Sequence, residues 1–333
     1  MTEHCGVLLM AYGTPATLDD VERYYTHIRG GHLPDAALVG ELRDRYRAIG
    51  GSSPLLEITN AQARGLERAL AVSAPGRYRV RLGMRHAPPF IEDGLAALLD
   101  DGAQSIVALV LAPHFSELSV GQYLARVRAA LADRANEVEL FTVEHWHLSP
   151  DYIALLAERV EAALAELRGG RCEVIFTAHS LPSRILAAGD PYPRQITETA
   201  AAVADRCDIE SWSVAWQSAG RTSEPWLEPN ILQALREAAQ RGIEDVVVCP
   251  VGFVSDHLEL LYDIDIQCVE LAAELGLRLV RTPAPNDDPR FLSALAQVVL
   301  DADGAEHSDA RPHAPVRARR PSRRGLLAES RKP

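Results

Sequence analysis

The sequence predicts an α/β protein made of two similar halves, each with a mostly parallel sheet. Short apolar runs rich in β-branched residues alternate with longer amphipathic stretches, which is typical of βαβ units. The run Ala-Tyr-Gly-Thr-Pro at residues 11–15 closes one apolar segment, and Ala-His-Ser-Leu-Pro at 178–182 closes another. Tyr12 and His179 would then lie at the carboxyl ends of equivalent strands, where open sheets place their ligands.

Seven segments have the short, β-branched pattern of buried parallel strands. They are Gly6 to Met10, Arg77 to Gly83, Ser105 to Leu111, Glu173 to Thr177, Trp212 to Ala215, Asp245 to Cys249 and Arg278 to Val280. These runs are too short for helices and are bounded by turn residues, so we expect each to cross a sheet once.

The likeness between the halves covers three strand ends. The text around Pro113 resembles that around Pro250, and Leu82 to His86 lies where the second half has Val214 to Ser218. The chain of 333 residues also exceeds what one hydrophobic core usually holds. We therefore place a boundary near Trp146, with predicted domains at residues 1–145 and 146–304.

Amphipathic helices are expected between the strands. Apolar residues recur at helical spacing in two sets, Val120, Leu124, Val127 and Leu131, and Leu156, Val160, Leu164 and Leu167. Ser149, Pro150 and Asp151 open the second of these helices as N-cap, first-turn proline and acid. Gly242 is predicted to end a helix that begins near Pro229.

Charge is distributed unevenly along the chain. The segment from His307 to Pro333 carries +6, so the rest carries −18 of the net charge of −12. We expect residues 305–333 to form a disordered basic tail, because apolar periodicity stops there. The acidic remainder argues against nucleic acid as a partner and suits a protein that handles cations.

The spacing of the cysteines and the hydropathy of the chain indicate the cellular compartment. Five cysteines show no CxxC pair and no closely spaced framework, which favours a reducing cytosol. No segment approaches the ~20 apolar residues of a membrane span. We therefore expect a soluble cytoplasmic protein without stable membrane association, and we expect a monomer.

One cluster of side chains suggests metal chemistry. Glu259 and Asp263 follow a strand and fall on one face of a predicted helix, four residues apart. If His179 faces Glu259 across the cleft, one imidazole and one carboxylate form a weak, open metal site that can also take protons. Taken alone, a histidine at this position is more often a hydrogen-bonded strand-end residue, and such a pair of carboxylates is more often a solvated helix face.

The residues at the strand ends resemble those of the ferrochelatase family, which inserts ferrous iron into a porphyrin. The matching motifs lie at residues 10–15, 22–29, 44–46, 50–54, 112–116, 178–182, 190–193, 216–218 and 256–259. The resemblance runs from about Gly6 to Leu300. It implies two Rossmann-like domains with parallel four-stranded sheets flanked by helices, and a porphyrin cleft between them.

The resemblance also implies roles for individual residues. His179 and Glu259 would meet the iron and accept the pyrrole protons, and Tyr12 would approach the metal from the other face of the ring. The residues that bind the porphyrin and its carboxylates would be Tyr12, Arg29, Arg45, Tyr46, Ser53 and Tyr123. Asp263 would act as a relay for metal or protons, although Gln267 stands where the family's acidic row often continues.

The same resemblance indicates which porphyrin is the substrate. Residues 26–34 are short and polar where membrane-bound members carry an apolar lip, so the chain resembles the soluble Gram-positive type that acts on coproporphyrin III. Iron is then a substrate, no prosthetic group is expected, and no cysteine after Cys268 is available for a [2Fe–2S] cluster. We also expect a transient handover of product to the next enzyme of the haem pathway.

Three alternatives stay open. The substrate could be protoporphyrin IX instead of coproporphyrin III. A cobalt or nickel chelatase acting on a sirohydrochlorin would share the cleft, although such enzymes rely on more than one histidine. A non-catalytic porphyrin carrier would need neither a base nor a carboxylate at this position.

Overall fold

The computed structural model describes residues 4–132, 137–167, 169–220 and 222–304. Two four-stranded parallel sheets form its centre. Their strands are β1 (His4–Ala11), β2 (Tyr78–Met84), β3 (Ala103–Val110), β4 (Glu139–Val143), β5 (Cys172–His179), β6 (Trp212–Gln217), β7 (Asp245–Cys249) and β8 (Arg278–Arg281). The predicted tail at 305–333 lies outside the described residues.

Helices fill the connections between the strands. They are α1 (Val21–Ile28), α2 (Ala36–Ala48), α3 (Leu55–Ser73), α4 (Ile91–Asp100), α5 (Val120–Ala130), α6 (Pro150–Ala165), α7 (Arg184–Ala187), α8 (Tyr192–Arg206), α9 (Ile231–Gln240), α10 (Val269–Glu274) and α11 (Pro289–Gly304). A short 3₁₀ helix spans Leu18–Asp20, and a π-helix over Glu259–Cys268 leads directly into α10.

The two sheets have the same strand order. The first is β2-β1-β3-β4 and the second is β6-β5-β7-β8. In the first, Val7 of the central strand lies opposite Val80 and Val107, and in the second Val174 lies opposite Trp212 and Val247. The predicted fold of two similar Rossmann-like units is therefore confirmed.

All seven predicted strands are present, and the structure contains an eighth strand, β4, that was not predicted. Strand β4 covers only Glu139–Val143 at the edge of the first sheet, and most of it is exposed or half-buried. A short edge strand needs no continuous apolar run. The apolar pattern that predicts the buried strands is therefore weak in β4.

The predicted helix ends are close to the observed ones. Helix α6 begins at Pro150, but its N-cap Ser149 makes no side-chain hydrogen bond to the first turn, which differs from the predicted cap. Helix α9 ends at Gln240, and Gly242 follows with a φ of 73°, a left-handed conformation that glycine adopts at little cost.

Alternate residues of the central strands pack into different cores, which explains why these strands are apolar throughout. Val7 and Leu9 of β1 and Phe176 of β5 belong to one core cluster shared by the two sheets. Leu8 of β1 and Ile175 of β5 face separate outer clusters.

Helix α11 connects the halves. It packs against α3 of the first half and α6 of the second. Phe291 of α11 lies 6.0 Å from the Trp146 ring and 6.2 Å from the Tyr152 ring, measured between centroids. Because α11 contacts both halves, the division at residue 146 stays a prediction about the sequence and is not visible as a gap in the core.

Candidate active site

A cleft of about 530 Å³ opens at the carboxyl ends of the strands. Its walls come from both halves, with Tyr12 after β1 on one side and His179 at the end of β5 on the other. This is where parallel sheets expose backbone ends and loop side chains, so the position agrees with that expected from the strand pattern.

His179 and Glu259 form the central pair. His179 Nδ1 lies 3.0 Å from Glu259 Oε2, and both side chains are partly open to the cleft, 37% and 27% exposed. Each is supported through its backbone carbonyl, which accepts a hydrogen bond from Tyr192 Oη at 3.0 Å for His179 and from Gln217 Nε2 at 3.2 Å for Glu259. Glu259 begins the π-helix, so the first turn after β7 aims it at the end of β5.

The pair is arranged to hold and release protons. Burial alone would lower the pKa of His179, but the charge and hydrogen bond of Glu259 outweigh it and raise that pKa above its ordinary value. Burial would raise the pKa of Glu259, whereas His179 and then His257 hold it well below its usual range. Glu259 is therefore ionised at neutral pH, and in neutral His179 the proton resides on Nδ1 while Nε2 keeps its lone pair.

The opposite wall brings two neutral rings, those of Tyr12 and His86, to the cleft. Tyr12 is 42% exposed toward the cleft and its ring centroid lies 4.6 Å from that of His86. Limited hydration and the Glu259 charge raise the pKa of Tyr12 to about 12, so its hydroxyl stays protonated. Burial, followed by the charge of Arg85, lowers the pKa of His86 to about 3.

Asp263 lies behind the central pair. Its buried carboxylate accepts hydrogen bonds from the Arg45 guanidinium and the Ser218 hydroxyl, and it is not among the residues that line the cleft. Burial raises the pKa of Asp263, and the Glu259 charge adds to that effect while Arg45 opposes it. Glu259 lines the cleft, whereas the Asp263 carboxylate four residues later is paired with Arg45 and Ser218.

A model of the ferrochelatase family matches residues 4–303. The chain belongs to the ferrochelatase family. Among curated relatives, a protein named coproporphyrin III ferrochelatase from Geobacillus kaustophilus is 46% identical over 300 residues, covering 89% of this chain and 95% of that protein. A protein named ferrochelatase from Deinococcus radiodurans is 44% identical over 300 residues, covering 88% and 94%.

Solved structures support the same fold. SirB from Bacillus subtilis with Fe3+ is similar at a TM-score of 0.60 and 14% identity, covering 91% of this chain and 98% of that one. At that identity the likeness shows the fold alone, in agreement with the two-sheet architecture described above.

Most residues assigned to porphyrin binding by the ferrochelatase resemblance lie on the cleft wall. Those that line it are Tyr12, Arg45, Tyr46, Ser53 and Tyr123. Tyr46 is buried with its hydroxyl 3.2 Å from Thr14 Oγ1, and burial raises its pKa to about 12. Arg29 is the exception, because it is exposed outside the lining with its guanidinium 6.0 Å from the ring centre of Tyr25, which does line the cleft.

Sequence reasoning passed over some residues of the site. His257 Nε2 lies 3.7 Å from Glu259 Oε2, and its Nδ1 lies 3.0 Å from the Ser255 carbonyl. Its place two residues before Glu259, in a motif already matched to the family, was the available signal. His27 was not foreseen either, although its Nδ1 lies 3.0 Å from Nδ1 of His86.

The cleft offers few fixed metal ligands. Among the described residues, no group of three or more histidine, cysteine or acidic side chains is arranged to hold a metal ion. The central pair therefore presents one imidazole and one carboxylate.

Within the described residues, none of the helices has the length and hydropathy required to cross a bilayer.

Proposed function

We propose that this protein inserts ferrous iron into coproporphyrin III in haem biosynthesis, with release of two pyrrole protons. The observation that carries the proposal is the His179–Glu259 pair, 3.0 Å apart, on a cleft lined from both halves. A relative that is 46% identical and is named for this substrate supports the choice of coproporphyrin. Iron is a substrate in this scheme, and no prosthetic group is needed.

His179 acts as the base. Its Nδ1–H is held by Glu259, so Nε2 is the nitrogen that can accept a pyrrole proton. The ionised carboxylate stabilises the imidazolium that results, because the two charges are in hydrogen-bond contact. His179 takes the two pyrrole protons one after the other and releases each to solvent before the next transfer, and the incoming Fe²⁺ balances the charge of the dianionic macrocycle.

Tyr12 faces the pair from the first half. A neutral phenol at this position can support the ring or the metal from the other face without adding charge. Contacts to the carboxylate periphery can hold the ring in a puckered form, strain of order 1–5 kcal/mol that remote binding offsets. Puckering exposes the pyrrole nitrogens to the base.

The periphery is held by the residues carried over from the family, Arg29, Arg45, Tyr46, Ser53 and Tyr123. Arg45 already pairs with Asp263, so a substrate carboxylate would have to share its guanidinium fork. We further infer that Asp263 relays protons or metal to and from Glu259, while Arg45 holds the Asp263 carboxylate in place. The Asp263→Asn variant is expected to slow turnover without weakening porphyrin affinity if that relay operates.

The test is anaerobic insertion of ferrous iron into coproporphyrin III and protoporphyrin IX, followed by loss of free-porphyrin absorption. We expect faster turnover with coproporphyrin III and loss of insertion in His179→Ala. His145→Ala, an exposed histidine outside the cleft lining, is the matched control and should retain activity. Preference for protoporphyrin IX would overturn the substrate, and porphyrin binding without insertion would favour a carrier.

Location and partners follow as proposals. The cysteines Cys5, Cys172, Cys207, Cys249 and Cys268 are all free thiols, which supports a reducing cytoplasmic setting. Their scatter over separate elements supports the absence of a [2Fe–2S] cluster, and iron analysis of the purified protein tests this. Product handover to the next enzyme would appear as a complex that forms only with the loaded protein.

A further inference from the structure

Among the described residues, two arginines line the cleft, and only one of them is paired with a carboxylate. Arg45 forms an ion pair with Asp263. Arg85 has no carboxylate partner among the described residues: its guanidinium donates to the side-chain oxygen of Gln122 and lies 5.4 Å from the ring centre of Tyr123. Both contacts orient the guanidinium, and neither neutralises it.

The surroundings of Arg85 do not supply the missing charge. Glu92 accepts two hydrogen bonds from Arg126, at 2.9 Å and 2.5 Å, so its charge is committed there. Arg126 also donates to the Arg85 carbonyl at 2.6 Å, which fixes the backbone that carries Arg85. The positive charge of Arg85 acts on its neighbours: it adds to the burial that lowers the pKa of His86, and it opposes the burial that raises the pKa values of Tyr12 and Tyr123.

An oriented, unpaired guanidinium on the wall of a substrate cleft predicts an anionic group on the substrate. Arginine binds carboxylates with two parallel hydrogen bonds, and the Arg85 guanidinium is already positioned over the Tyr123 ring. We propose that Arg85 binds one carboxylate of the porphyrin at the α5 side of the cleft, while Arg45 serves the side next to the π-helix. This inference rests on the proposed function and makes Arg85 a specificity-determining residue.

The two candidate porphyrins differ in the feature that Arg85 would recognise. Coproporphyrin carries a carboxylate arm on each of its pyrrole rings, whereas protoporphyrin carries such arms on only one edge. A ring whose carboxylates all meet Arg45 and its neighbours leaves Arg85 unpaired and partly desolvated, which is unfavourable. A tetracarboxylate can satisfy both sides at once.

The variants Arg85→Gln and Arg85→Lys test the proposal. Glutamine removes the charge, and lysine keeps it without the planar fork. The dissociation constants of coproporphyrin III and protoporphyrin IX would be measured by quenching of porphyrin fluorescence without iron, and KM and kcat by iron insertion. Arg128→Gln, at an exposed position of α5, is the matched control.

We expect Arg85→Gln to weaken coproporphyrin III binding by roughly tenfold or more, with a much smaller change for protoporphyrin IX and little change in kcat. Arg85→Lys should fall between wild type and Arg85→Gln, and Arg128→Gln should match wild type. Equal changes for both porphyrins, or none, would overturn the role of Arg85. Because affinity is measured without iron, that result is separate from a failure of the wild-type protein to insert iron.

Discussion

The two halves share one strand order, yet their cleft walls carry opposite chemistry. Strand β1 is followed by Tyr12, and the wall of the first half adds neutral His86 and cationic Arg85. The equivalent strand β5 ends in His179, and the second half adds the carboxylate of Glu259. A repeated scaffold thus provides one wall suited to a carboxylated ring and another suited to a metal cation and protons.

The segments after the third strand of each half show where the difference arises. After β3 the chain enters α5, which places Tyr123 under Arg85. After β7 it enters a π-helix whose first residue is Glu259. π-Helical turns of this kind occur often at functional sites. Here Glu259 lines the cleft, while Asp263 forms an ion pair with Arg45.

The largest expected effect concerns the core that joins the halves. Phe291 is fully buried against Trp146 and Tyr152, so Phe291→Ala should lower the free energy of unfolding by about 3–5 kcal/mol through lost burial and a cavity. Urea unfolding followed by fluorescence and circular dichroism measures this. The exposed Leu148→Ala should cost below about 1 kcal/mol. A loss of similar size in both variants would show that the burial of Phe291 adds nothing to stability beyond that of an exposed apolar side chain.

The second-largest expected effect concerns catalysis by the wall of the second half, which carries Glu259. Glu259→Gln removes the charge that supports protonated His179, and we expect kcat to fall roughly 10²-fold or more. The pKa of His179, followed by NMR, should also fall, because Glu259 is what raises it. Glu270→Gln, an exposed position on α10, is the control. Unchanged His179 titration in Glu259→Gln would contradict the pairing.

The smallest expected effect is the pH dependence of the free energy of unfolding, to which His86 and His179 contribute with opposite signs. His86, with a pKa of about 3, stays neutral when folded but is protonated in the unfolded chain below its ordinary value of 6.5. Stability therefore falls as the pH drops, by about 2 kcal/mol between pH 7 and pH 5 from this group. His179 has the opposite sign: its raised pKa contributes stability below 6.5 that is lost as the pH rises through the folded value.

The variant His86→Gln tests this sign. Its free energy of unfolding should depend less on pH between 5 and 7 than that of the wild type, as measured by urea titrations at each pH. His32→Gln, at an exposed site, should keep the wild-type slope. An unchanged slope in His86→Gln would mean that His86 titrates normally in the folded protein.

Local patterns were sufficient for most of the fold. The buried strands were predictable because β1 and β5 face a core on both sides and therefore read as continuous apolar runs. Strand β4 was missed because an edge strand is only partly buried and carries a mixed pattern. The π-helix could not be predicted from the sequence either, because the spacing of Glu259 and Asp263 is equally compatible with an α-helix.

The sequence by itself determined the α/β class, the repeat of the halves and the identity of the strand-end residues, because apolar periodicity and motif order are local properties of the chain. Only the tertiary structure decided the partners: His179 with Glu259, Arg45 with Asp263, and Arg85 with Gln122 but with no carboxylate in the described part of the chain. Those contacts join residues from distant parts of the chain. Their charge states depend on burial and on neighbours that only packing brings within a few ångströms.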